Sequence, residues 1–250
     1  GTSCGWRVDL INLFFKVTYY KKLIIDLYIS FLFIESMTDI EKTVKFVQEK
    51  LQDAESGHDW WHIERVWKNT KLILETEEAD SLVCELTALL HDIADSKFNG
   101  GDESIGPRIA GEFLTHIGVA KDTVEHVQNI ILNMSFKASL GAVSFHSKEL
   151  EIVQDADRLD AIGAIGIARA FNYGGYKNRE IYNPNIPVED NLSKEAYKNT
   201  TAPTINHFYE KLLLLKDKMN TPTAKQIAAQ RDQYMQDFLI QFYGEWNGER

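Results

Sequence analysis

Cysteine is almost absent from this chain. Only Cys4 and Cys84 occur in 250 residues, too few for a disulfide framework or a thiolate-rich zinc site. Cys84 falls among Leu82, Val83 and Leu86 and reads as a small core residue, so a reducing, cytoplasmic setting is expected. Basic charge is also short. Lys and Arg number 27 against 37 Asp and Glu, a net charge of −10, which excludes a general nucleic-acid binder with a basic face. Long apolar runs are missing too. Lys16, Lys21, Lys22 and Asp26 interrupt the apolar first 36 residues, and the run Leu27–Ile34 is eight residues long, where a membrane span needs about 20. Nucleic-acid polymers and membranes are therefore not expected partners. Five prolines and 15 glycines exclude a fibrous or low-complexity protein. No alternating strand pattern and no internal repeat occurs. With 44% hydrophobic and 26% charged residues, what remains is a globular chain with enough apolar material for a core.

Residues 1–36 lack the basic start, continuous apolar stretch and small-residue cleavage site of a signal peptide. They read either as an extra amphipathic helix, suited to pack on the domain or form a homodimer interface, or as non-native sequence ahead of a start at Met37. The following domain is expected to span 37–250. Its periodicity predicts helices over 38–54 (capped by Thr38 or Asp39), 60–76, 81–94 (capped by Asp80 or Ser81), 105–117, 121–134 and 147–170. Residues 172–203, with Gly174, Gly175, Pro184, Pro187 and Pro203, read as a long irregular segment. Amphipathic C-terminal helices are expected within 204–243. The fold class is all-α.

Six of seven histidines fall between positions 58 and 146. His91 and Asp92 end the apolar helix ELTALLHD, against Leu89, Leu90 and Ile93. A buried unpaired carboxylate there is costly, and a divalent cation would satisfy both side chains. His62 lies on the apolar side of its helix with Val66. Asp157 sits in EIVQDADRLDA, whose other face is Ile152, Val153, Leu159 and Ile162. Nitrogen and oxygen donors without thiolate suit Mn, Fe, Mg, Co or Zn. Trp60, Trp61 and Trp67 read as core residues.

The order His62, His91-Asp92, Asp157 resembles the HD superfamily of metal-dependent phosphohydrolases. The fuller likeness lies in HDWWHIERV, LTALLHDIADSKF and VQDADRLDAIGAIGIARAF, over about residues 40–175. The resemblance implies a single helical bundle of the HD-domain type in which these four side chains bind one divalent cation, with Mn or Mg favoured for activity. It also implies hydrolysis of a phosphoester or phosphoanhydride of a small nucleotide-like substrate; some relatives are nucleoside triphosphate pyrophosphohydrolases. The family pattern selects Asp157 from Asp155, Asp157 and Asp160. Helical spacing agrees, because the small residues Ala161 and Ala164 lie four and seven positions later on the same face. Asp160 shares that side and reads as a support or substrate residue. Asp155 reads as a solvated or capping residue.

A divalent ion in an open site lowers the pKa of water towards 7 and neutralises phosphoryl oxygens. Asp95, three residues past Asp92, is the candidate general base. Lys97, Arg65 and Arg158 are candidate phosphate holders, with Lys137 and His58 as further substrate contacts. His126 and His146 are weighed for a second metal or substrate. Asn133 and Met134 stand where two-metal relatives carry histidines, which favours one metal. His116 and His207 read as structural or exposed. Two other functions fit the same helices: a non-catalytic nucleotide- or metal-binding regulator, against which Asp95 and Lys97 argue, and a two-iron oxygenase, against which Asn133-Met134 argues.

Overall fold

The structure, a computed structural model, describes residues 37–52, 59–94, 102, 104–134, 145–189 and 201–249. The chain divides into two compact units, Gly1–Lys42 and Thr43–Arg250. In the first, residues 1–36 lie outside the described part, and with them the expectations placed on that segment. What is described there is a reciprocal cap: Thr38 Oγ1 accepts from the Glu41 N–H at 3.2 Å, and Glu41 Oε2 accepts from the Thr38 N–H at 2.7 Å. This cap starts α1 (Asp39–Lys50), within which the division falls.

The second unit holds α2 (Trp60–Leu74), α3 (Ser81–Leu90), α4 (Ile105–His116), α5 (Lys121–Met134), α6 (Lys148–Asp160), α7 (Gly163–Tyr176), α8 (Thr204–Glu210) and α9 (Pro222–Trp246), with two short 3₁₀ turns between the last two. No strand occurs among the described residues. Side-chain oxygens set several starts: Asp59, Asp80, Ser147 and Thr221 each accept a backbone N–H three residues on. Helix α2 is central and packs on α3 and α6. Helices α4 and α5 form an antiparallel pair, and α5 also covers α3. Helix α9 lies along α6 and α7. Val66, Ile73, Cys84, Ala88, Val153, Ala156, Leu159, Phe208, Ala228 and Met235 form one continuous core.

Several expectations need correction. The helix predicted over 147–170 is two helices. Helix α6 stops at Asp160, and Gly163 adopts φ +75°, a left-handed conformation that glycine adopts without penalty. Ala164 therefore lies on α7 and is exposed, so the spacing argument for Asp157 from Ala161 and Ala164 fails. Helix α3 ends at Leu90 rather than Ala94. The irregular segment begins later than expected, because α7 continues through Gly174 and Gly175 to Tyr176. A Cβ at Gly174 would sit 2.1 Å from Thr204 Oγ1, so that glycine serves the close approach of α8. Trp61 is exposed rather than core, and Trp67 is half-buried, donating from Nε1 to Glu85 at 2.8 Å.

Asp155 is fully buried, not solvated. Its carboxylate accepts the backbone N–H of Asn220 at 2.9 Å and of Thr221 at 2.7 Å, and the Thr221 hydroxyl at 2.9 Å. It thus anchors the start of α9 to α6. Asp155→Ala leaves these donors without an acceptor, and the expected cost is about 3 kcal/mol. The urea unfolding midpoint measures it, and an unchanged midpoint would contradict this role.

Candidate metal centre

Three helix ends meet at one place. His62 is the third residue of α2, and its backbone N–H is held by the Asp59 cap at 3.0 Å. His91 is the C-cap of α3, and Asp92 follows it in the turn. Asp157 and Asp160 occupy the last turn of α6. Two C-terminal helix ends, each with partial negative charge, therefore point at the cluster and favour a cation there.

The side chains converge. His62, His91 and Asp92 offer ligand atoms within 4.8 Å of one another. His62 Nε2 stands 3.7 Å from Asp92 Oδ2 and 3.6 Å from Asp157 Oδ1, and His91 Nε2 stands 3.8 Å from Asp92 Oδ2. Asp157 stands beside His62 but is not part of that mutually close group of three. The histidines are buried, with 2% and 4% of their side chains exposed, while Asp92 at 26% and Asp157 at 44% face outward. The histidines form the floor and the carboxylates the open side.

Proton placement gives this arrangement its chemistry. His91 Nδ1 lies 2.9 Å from the Ala88 carbonyl. A carbonyl only accepts, so Nδ1 carries the hydrogen and Nε2 of the neutral ring presents a lone pair. That Nε2 is buried and has no hydrogen-bond partner among the described residues. His62 Nδ1 lies 2.8 Å from Asp160 Oδ2, which directs its Nε2 lone pair to the same point. Acceptors thus face acceptors, and a divalent cation among them removes both the repulsion and the orphan. These residues fit a metal ion.

Asp160 is the support beneath. Besides His62, it takes Arg65 Nε at 2.6 Å and Arg65 Nη2 at 3.1 Å, and it pairs with Arg169 of α7. Burial acts to raise its pKa, but the hydrogen bonds from His62 and Arg65 and the charge of Arg169 outweigh it and hold the carboxyl well below its ordinary range. A carboxylate that orients a histidine in this way fixes its tautomer and raises its basicity. Sequence reasoning missed Arg169. The available signal was a lone cation in the apolar helix GAIGIARAF.

Other candidates are dispersed. Arg65 is engaged by Asp160 as just described. Arg158 turns to the Lys218 carbonyl at 2.6 Å and to Asp155 at 3.4 Å. His126 lies 3.1 Å from the Ser147 hydroxyl and 3.5 Å from Glu149 Oε2, while His146 and His116 are exposed. His207 is half-buried, and burial, with Lys211 and Arg179 nearby, pushes its pKa down to about 3. His58, Asp95, Lys97 and Lys137 lie outside the described residues. No helix among the described residues is long and apolar enough to cross a membrane.

A family model for the HD domain matches residues 60–162, the span from α2 to the turn after α6. The protein YpgQ of Bacillus subtilis is 37% identical over 211 residues, 83% of this chain and 93% of its own. An HD-superfamily hydrolase from Bacillus thuringiensis superposes with a TM-score of 0.67 at 45% identity, over 83% of this chain and 96% of that one. A Lactobacillus plantarum protein superposes with a TM-score of 0.71 at 36% identity, over 85% and 99%. YpgQ solved in complex with ADP superposes with a TM-score of 0.64 at 34% identity, over 82% and 94%. With the two histidines and two aspartates of its resemblance gathered at three helix ends, the chain belongs to the HD superfamily of metal-dependent phosphohydrolases.

Proposed function

We propose that this protein hydrolyses a phosphoester or phosphoanhydride of a small nucleotide-like substrate, using one divalent ion held by His62, His91, Asp92 and Asp157. The observation that carries the reading is the buried Nε2 of His91, which faces the Asp92 carboxylate and has no hydrogen-bond partner among the described residues. Mn or Mg is the favoured ion, given the mixed nitrogen and oxygen donors. When bound, such an ion lowers the pKa of a water and neutralises charge on the phosphoryl group.

The chain's own groups divide the remaining work. The buried histidines fix the floor, and the exposed side at Asp92 and Asp157 is where the phosphoryl group is proposed to bind. Asp95, three residues after Asp92, is the proposed acceptor of the water proton. Lys97 is the first proposed phosphate contact, and Lys137 and His58 are further proposed substrate contacts. Arg65 and Arg158 already hold a carboxylate and a carbonyl, so a phosphate role for either requires exchange of those partners. Nucleotide specificity draws support from YpgQ, the relative solved with ADP.

The test is a panel of nucleotides and sugar phosphates, assayed with chelator-treated protein resupplied with Mn, Mg or Co. Turnover of a nucleotide only after metal is restored is the expected result, and separating phosphate from pyrophosphate identifies the bond cleaved. Nucleotide binding without turnover under every metal would replace this reading with that of a regulator.

A further inference from the structure

The family match ends at residue 162, yet the last turn of α6 is held from outside that stretch. Arg231 of α9 donates from Nη1 to the Leu159 carbonyl at 2.6 Å and from Nη2 to Asn69 Oδ1 at 3.0 Å. Asn69 donates from Nδ2 to the Ala156 carbonyl at 3.1 Å. Each carbonyl belongs to the residue just before a site aspartate: Ala156 precedes Asp157, and Leu159 precedes Asp160. Asn69 lies seven residues after His62 on α2, about two turns along the same face. Two side chains thus tie the helix of His62, the helix of the aspartates and the C-terminal helix together.

Local geometry is built around this tie. The Leu159 carbonyl lies in the last turn of α6, where carbonyls lose their intrahelical donors; its backbone partners are the N–H of Ala161 and, at 3.3 Å, the N–H of Ile162. The guanidinium fork spans this carbonyl and Asn69 at once, which an ammonium does not. A Cβ at Gly163 would lie 3.0 to 3.3 Å from the Arg231 Cβ, Cγ and Cδ, so the glycine at the start of α7 also makes room for the arginine stem. Arg231 sits one turn from the buried Ala228 and Met235. Burial lowers its pKa, partly offset by the charge of Asp160, and a charge in such surroundings is costly unless well partnered.

We propose that Arg231, acting with Asn69, is a positioning residue that clamps the last turn of α6 in the register at which Asp157 and Asp160 both face His62. It acts through these aspartates and touches none of the four ligand side chains. The inference rests on the reading of His62, His91, Asp92 and Asp157 as a divalent-cation site.

The test compares chelator-stripped wild type, Arg231→Lys and Asn69→Ala. Each is titrated with Mn²⁺ by calorimetry at a temperature where circular dichroism shows it folded, and metal-free melting is recorded alongside. Lysine keeps the charge but loses the fork. Asn69→Ala cuts the Ala156 arm and leaves the Leu159 bond, so it carries the test if Arg231→Lys does not fold. The Mn²⁺ dissociation constant should rise about 10–100-fold in both variants, the range seen when supports of metal ligands are removed, and kcat should fall with little change in KM. Unchanged Mn²⁺ affinity in folded variants, with only the melting temperature lowered, overturns the inference and leaves Arg231 as a structural tie. A wild type that takes up no ion removes the metal reading first, and this inference with it.

Discussion

His91→Ala is expected to lower kcat/KM for phosphohydrolysis by about three orders of magnitude, the several kcal/mol that a metal ion contributes to such a transition state. The metal-free fold should hardly notice. Among the described residues the His91 side chain makes one hydrogen bond, from Nδ1 to the Ala88 carbonyl, and its Nε2 has no hydrogen-bond partner. Its removal should cost only about 1 kcal/mol in the absence of metal. The contrast between a large catalytic loss and a small change in metal-free melting marks a ligand rather than a core residue. Activity near the wild-type level would contradict the proposed site, and collapse of the metal-free fold would contradict the geometry.

Asp160→Asn should show the opposite balance. Its carboxylate holds His62, Arg65 and Arg169 together and is 2% exposed. Breaking a buried ion pair costs about 3–5 kcal/mol. Both arginine side chains are 31% exposed and can rehydrate in part, so a loss of about 2–3 kcal/mol in metal-free stability is expected. Metal affinity should fall about 10–100-fold as well, because a neutral amide no longer raises the basicity of His62. The pH dependence follows from the depressed carboxyl. Its folded pKa lies below the ordinary 3.8, so its contribution is present above about pH 4 and is lost as pH falls further through the folded value. Asp160→Asn should lack that part of the acid-unfolding profile. Chemical denaturation at pH 7 and pH 3 measures both effects, and equal differences between variant and wild type at the two values would contradict the linkage.

What the sequence made legible was local. Asp80 could be placed at a helix start because a cap is made by a side chain three residues from the N–H it holds. The donors His62, His91, Asp92 and Asp157 stood out because polar groups on apolar helix faces need partners. What could not be read came from contacts across the fold. The break after Asp160 depends on Gly163 and on an arginine stem 68 positions later, and a periodic pattern through DAIGAIG hides it. Asp155 read as a solvated or capping carboxylate, because its partners at Asn220 and Thr221 lie 65 and 66 residues away. Arg65 looked like a phosphate holder for the same reason: nothing near it in sequence announces Asp160.

Anomalous diffraction from crystals grown with Mn²⁺ tests the central claim most directly. The account predicts one peak per chain, about 2.0–2.3 Å from Nε2 of both His62 and His91 and from carboxylate oxygens of Asp92 and Asp157. A peak elsewhere, or none at this junction of helix ends with Mn²⁺ in the crystal, would contradict it.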